Sequence, residues 1–180
     1  MIKKILLLST SLFALSFLAQ AQKGTNGIQV GARVVFPTEK LNKVANTGFG
    51  GSLKGIYGVG GKSSPHQVTL EAGYNRFGLK DLPEGASGFY SAIPIYTGYR
   101  YLFGKIIFDT QAGVSFNKIS GQSAAGVKAS GNQTAFGWAV GVGYSIKQIE
   151  LGVKYQSSDV NDDIYDIKFV GLRLGYNFVL

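Results

Sequence analysis

Residues 134–145 read Thr-Ala-Phe-Gly-Trp-Ala-Val-Gly-Val-Gly-Tyr-Ser, and this stretch decides the fold. Every second position, Thr134, Phe136, Trp138, Val140, Val142 and Tyr144, is large and mostly apolar. The positions between them, Ala135, Gly137, Ala139, Gly141, Gly143 and Ser145, are nearly bare. A period of two places alternate side chains on opposite faces of an extended strand, whereas a helix would need apolar residues every three or four.

The same alternation recurs on both sides of this segment. Large residues occupy one phase of 28–36, 49–57, 68–75, 93–101 and 106–116 before it, and of 149–156 and 170–178 after it. That makes eight strands. A tilted strand crosses a bilayer in about 9–11 residues, and an even number of antiparallel strands closes into a barrel without open edges. Two positions resist the pattern. The apolar phase slips between Ile167 and Phe169 and the run from Val170, which predicts a bulge in the last strand. Pro94 lacks the N–H that a closed sheet uses, which predicts a bulge or a strand end.

Ahead of the strands, Lys3 and Lys4 precede an apolar run from Ile5 to Leu18 and then Ala19-Gln20-Ala21. This order of charged, apolar and small residues predicts a secretory signal peptide over 1–21, cut after Ala21, and a single domain over 22–180. The run is shorter than the roughly 20 residues of a membrane-spanning helix, and no later stretch reaches that length. The chain carries no Cys, one His and a formal net charge of +8. These exclude disulfides, thiolate metal sites, a cysteine nucleophile and a lipidated cysteine. The basic residues are scattered without a stripe or motif, so no nucleic-acid partner is expected.

Alternation alone does not distinguish a soluble barrel, apolar inside, from a membrane barrel, apolar outside. Three features favour the membrane. Aromatic residues gather at strand ends in two groups. Tyr57, Tyr99, Tyr101, Phe108, Tyr144, Tyr176 and Phe178 form one, expected at the periplasmic side. Phe36, Phe49, Tyr74, Phe89, Tyr90, Phe116, Phe136, Trp138 and Tyr155 form the other. Two such girdles match the two interfaces of a bilayer. Connections alternate between long (37–47, 78–88, 118–131, 157–164) and short (102–105, 145–148), with 61–66 intermediate. The remaining face carries Arg33, Lys54, Glu71, Arg100, Asp109, Glu150, Lys154 and Arg173 among many glycines, five cations and three anions that would fill the lumen of an eight-stranded barrel. The expected fold is therefore all-β, an eight-stranded antiparallel transmembrane up-and-down barrel.

Ala92-Ile93-Pro94-Ile95-Tyr96 leading into Tyr99-Arg100-Tyr101-Leu102-Phe103, the run Gln111-Ala112-Gly113-Val114-Ser115-Phe116, and the closing Gly171-Leu172-Arg173-Leu174-Gly175-Tyr176-Asn177-Phe178 carry a resemblance. The mature chain resembles the small outer-membrane β-barrel family of Bacteroidetes type, that is, porin-family or outer membrane protein β-barrel domains with an OmpA/OmpX-like barrel. The resemblance implies an outer-membrane address, and a closing strand similar to the signal read by the barrel-assembly machinery, here followed by Val179 and Leu180. It implies no activity. With the chain ending at Leu180 and no peptidoglycan-binding domain after the strands, a barrel alone is expected.

Candidate chemistry is sparse. His66 follows Ser63, Ser64 and Pro65 and suggests a Ser–His pair, but no acid lies nearby and the position falls in an expected periplasmic turn, so a solvated histidine is the expectation. Asp159, Asp162, Asp163 and Asp166 could bind Ca²⁺, yet they lack the glycine turn and terminal Glu of an EF-hand, so a polar loop is expected. Gly58, Gly60 and Gly61 sit in no strand-to-helix phosphate motif. The Ser-, Gly- and Ala-rich stretch 118–131 reads as a flexible loop, with an adhesive tip as the sharper reading. Lys23, Lys62, Lys105 and Lys147 would form a basic periplasmic rim against anionic lipid heads.

The expected function is a structural, binding or surface-interaction role without catalysis, cofactor or metal and without an open large pore. Outer-membrane lipids, lipopolysaccharide and the barrel-assembly machinery are the expected partners of a monomer. Two alternatives stand beside it, an outer-leaflet lipid-modifying enzyme and a secreted, soluble lipocalin-like carrier of an apolar ligand.

Overall fold

The computed structural model describes residues 26–60, 64–159 and 167–180, the side chain of Asp159 excepted. The expected signal peptide, Lys23, Lys62, Ser63 and Asp162, Asp163 and Asp166 lie outside these residues. Eight strands close one barrel: β1 (Gly27–Pro37), β2 (Gly48–Val59), β3 (His66–Gly78), β4 (Ser87–Phe103), β5 (Ile106–Gln122), β6 (Lys128–Ile146), β7 (Ile149–Asp159) and β8 (Ile167–Val179). Each pairs antiparallel with its sequence neighbours, and β1 pairs with β8 from Gly27 opposite Val179 to Pro37 opposite Phe169. One end of the barrel carries both termini of the sheet with the connections 60–65, 104–105 and 147–148, and the other, the loop end, carries 38–47, 79–86, 123–127 and 160–166.

Alternation sets the faces as expected of a membrane barrel. Val140, Leu151 and Leu172 are 44%, 49% and 50% exposed, while Arg100 and Glu71 are 2% exposed. A soluble carrier needs the reverse. The bare face of β6 also finds its reason. Tyr96 on β4 lies in the lumen, and Gly113 on β5 and Gly137 on β6 are the residues level with it on the next two strands. A Cβ at Gly137 would collide with the Tyr96 hydroxyl, so the glycines make room for the ring.

Several expectations need correction. β8 has no bulge, because its registers with β1 and β7 are unbroken. Ile167 and Phe169 point inward in the same phase as Gly171 and Arg173. They are apolar because the lumen itself becomes apolar at the loop end. Pro94 causes neither a bulge nor a strand end. It stands inside β4, still opposite Ser115 of β5, while the ladder to β3 opens between the pairs Ala72–Ile95 and Asn75–Ala92 without a change of register. Its ring lies over Gly73, where a Cβ would come within 3.3 Å of it.

The stretch 118–131 is no flexible loop either. β5 and β6 stay paired out to Gln122 opposite Lys128, leaving 123–127 as the turn. Beyond the bilayer the outer face of the hairpin meets water, so pairing continues without the apolar alternation that marks a buried strand, while Ile119 on the inner face packs against the apolar residues of the mouth. Tyr90, expected in a girdle, is buried in the lumen, and Phe89 and Tyr155 are half-buried.

A short helix, α1 (Glu39–Val44), was not expected in an all-β chain. It tips Leu41 into the mouth of the barrel, where Leu41, Val35, Phe77, Tyr90, Ile167 and Phe169 form a buried apolar cluster. Phe77 and Phe169 meet with ring centroids 5.4 Å apart. Burying such side chains is worth about 1.5–3 kcal/mol each, enough to hold a six-residue helix that would not form alone.

Candidate functional site

Inward-facing positions of the strands assemble a lattice of ions in the mid-lumen. Glu71 is its hub. Arg33 Nη2 donates to Glu71 Oε1 at 2.7 Å, Lys54 Nζ lies 3.0 Å from Oε2, and Lys154 Nζ donates to Oε1 at 3.0 Å. Only Lys54 sits directly opposite Glu71 in the sheet; Arg33 comes from β1 and Lys154 from β7. Glu150 accepts from Arg100 Nη2 at 2.5 Å and also from Arg173. Asp109 accepts from Lys54. All eight charged residues expected in the lumen are buried there.

Five cations outnumber three anions, and two amides that sequence reasoning passed over absorb the difference. Gln111 Oε1 accepts from Lys154 while its Nε2 donates to Glu71 Oε2 at 2.9 Å. Gln29 Oε1 accepts from Arg173 at 3.0 Å, and its Nε2 donates to Glu150 Oε2 at 2.9 Å. A side-chain amide can donate and accept together, which lets it bridge a surplus donor to a crowded carboxylate. Both glutamines share the inward phase of the charged residues, the one signal that could have found them. Leaving any of these ions without a partner in a closed interior would be costly, and each of the eight has at least one partner, although Arg33 Nε, Arg100 Nε and Asp109 Oδ1 are buried without a hydrogen bond.

His66 is not in a turn. It opens β3 opposite Tyr101, among the aromatic side chains of the terminal end. Its ring lies 5.3 Å from that of Tyr101 and 6.0 Å from that of Tyr99, and its Nδ1 meets the Tyr99 hydroxyl. Ser64 touches it only through the backbone: the His66 N–H donates to Ser64 Oγ at 3.3 Å. Among the described residues no serine hydroxyl bonds the imidazole, so Ser64 forms no Ser–His pair, and Ser63 lies outside those residues.

Of the remaining candidates, Gly58 lies within β2 and donates its N–H to Asn26 Oδ1 at 2.9 Å, and Gly60 turns the chain with φ of 91°. Lys105 and Lys147 occupy the two-residue turns 104–105 and 147–148 of the terminal end. Asp159 ends β7, and its companions in the acidic group lie outside the described residues. The sheet-face aromatics form the two expected girdles, with Tyr57, Tyr99, Phe108, Tyr144, Tyr176 and Phe178 exposed at one end and Phe36, Phe49, Tyr74, Phe116 and Phe136 at the other.

The sequence matches none of the curated proteins with which it was compared. Solved structures share the fold. Similar to this chain are Ail, the attachment invasion locus protein of Yersinia pestis, at 16% identity and a TM-score of 0.63 over 87% of this chain and 99% of that one. Neisserial surface protein A is similar at 14% identity and 0.55, over 88% and 99%. The N-terminal β-barrel domain of Pseudomonas aeruginosa OprF is similar at 13% identity and 0.59, over 87% and 99%. An apolar belt between two aromatic girdles, a closed eight-stranded sheet and a family profile matching residues 5–178 agree: the chain belongs to the outer membrane protein beta-barrel domain family and resides in the bacterial outer membrane.

Proposed function

We propose that this protein is a non-conducting, non-catalytic outer-membrane barrel that acts as a monomer and meets its partners at the loop end, which faces the outside. The observation that supports this reading is the internal use of the lumen. Its ionised groups are bound to one another through Glu71, Glu150, Gln29 and Gln111, and the mouth above them is stopped by α1 and the apolar cluster around Leu41 and Phe169. On this reading the interior holds no open hydrated path, and among the described residues each acid of the lumen is engaged by a cation. What is left to recognise a partner is the surface beyond the girdle, above all the projecting β5–β6 hairpin.

The fold shared with a protein described as an attachment invasion locus protein and with one described as a surface protein supports a role at the cell surface. The lipid-modifying reading has no support in the contacts of His66, whose ring faces tyrosines.

Reconstitution of the full chain in planar bilayers tests the proposal. The expected trace is flat apart from rare small steps. Frequent large steps of uniform size would overturn it, as would a change in lipid A mass on expression that a His66→Ala variant abolishes.

A further inference from the structure

The outer surface of β3–β6 changes chemistry abruptly at the loop-end girdle. On the last apolar row Ile93 stands beside Phe116, with Ile95 beside Val114 and Val114 beside Phe136 one row deeper. On the next row outward the register sets Arg76, Ser91, Lys118 and Asn132 side by side on four consecutive strands. Cross-strand neighbours of this kind have Cβ atoms about 4.5–5.5 Å apart, so the two long cationic side chains flank Ser91. Ser91 is buried although it lies on the outer face.

Above this row opens a groove of about 410 Å³ whose walls include Phe89, Lys118, Ser120, Gln122, Lys128 and Ser130. Arg76 is held at its edge, the guanidinium carbon 4.0 Å from the centre of the Phe89 ring. Among the described residues none of Arg76, Lys118 and Lys128 is paired with a carboxylate.

We propose that this face binds a phosphorylated glycolipid of the outer leaflet, of the lipid A kind. The inference rests on the outward orientation of the loop end. The vertical order of chemistry matches such a molecule. Arg76, Lys118 and Lys128 meet the phosphate; Ser120, Gln122 and Ser130 supply hydroxyl and amide groups at the height of the sugars; and Ile93, Val114, Phe116 and Phe136 lie where its acyl chains descend. A soluble polyanion would have use for the cations but none for the apolar wall directly beneath them. Cations at a membrane surface also gain most against a lipid phosphate held at their own depth.

The test uses the full chain in phosphatidylethanolamine nanodiscs, titrated with monophosphoryl lipid A and with the same lipid after phosphatase treatment. The wild type is expected to bind the phosphorylated form about tenfold or more tightly than the other, and a variant carrying R76Q, K118Q and K128Q to lose that preference. A control carrying K105Q and K147Q at the opposite end is expected to keep it. Equal binding of the two lipids by the wild type, an unchanged preference in the triple variant, or equal loss in the control would each overturn the proposal. Folding of each variant is checked by its gel shift on boiling, and the pair K118Q and K128Q replaces the triple variant if that fails. Since the chain has no Cys, labelling of a Ser123→Cys variant on intact cells reads orientation separately. Labelling without lipid preference overturns this inference alone, whereas absence of labelling overturns the reading beneath it.

Discussion

At the scale of single residues, the lumen makes unequal demands on side chains that look alike in the sequence. Glu71 serves four cations, with Arg173 the most distant at 3.9 Å, so neutralising it leaves several buried charges short of a partner. Glu71→Gln is expected to lower stability by about 3–5 kcal/mol, the usual cost of breaking a buried ion pair from one side, as measured by urea unfolding in detergent micelles. Gly137 poses a problem of volume instead. Gly137→Val drives side-chain carbons into the Tyr96 hydroxyl and ring and is expected to cost about 1–3 kcal/mol. Tyr96→Ala in the same chain should recover part of that loss, and a double-mutant cycle measures the coupling. Independent, additive effects at the two positions would show that the ring and the glycine do not share space.

At the scale of elements, the strands were legible wherever one face meets lipid and the other the lumen, since that contrast writes period two directly into the sequence. β6 is the best case, and its midpoint provides a quantitative check. Val140 lies between Phe136 and Tyr144 on the outer face, so Val140→Lys should destabilise the barrel by about 2–4 kcal/mol, read from the same unfolding curves. The equivalent change at Lys128, outside the apolar belt, to any polar residue should cost almost nothing.

Where the contrast fades, sequence reasoning went astray. Residues 118–131 pair as a hairpin although their outer face is polar and their inner face is mostly small, and the inward Ile167 and Phe169 imitate the outward phase because a second apolar environment exists inside. α1 was missed because six residues carry too little periodicity, and the cluster that stabilises it is assembled from β1, β3, β4 and β8. Among candidate site residues, all eight charged positions of the lumen were legible from phase alone. Their partners were not, because Arg33 reaches Glu71 past the intervening β2 and Lys154 reaches it from the opposite wall, and no local pattern encodes such meetings.

At the scale of the whole molecule, closure joins segments about as far apart in sequence as the chain allows, Gly27 opposite Val179. Contacts of such separation are slow to form. A chain ended at Asp159 lacks β8, leaving β1 and β7 each with an open edge and Glu150 without Arg173. Such an open edge is intolerable in hydrocarbon. That truncated chain is expected to remain protease-sensitive and to show no gel shift on boiling, where the full chain resists digestion and shifts.

The ion lattice adds something that hydrogen bonding between adjacent strands does not. Because Glu71 draws on donors from opposite walls, a half-built sheet leaves it partly unmet, and contentment arrives only with the final seam. The wall-to-wall salt bridges thus act as an inspection stamp on the finished cylinder: electrostatics vouches for completeness, which neighbour-by-neighbour zippering alone is unable to do.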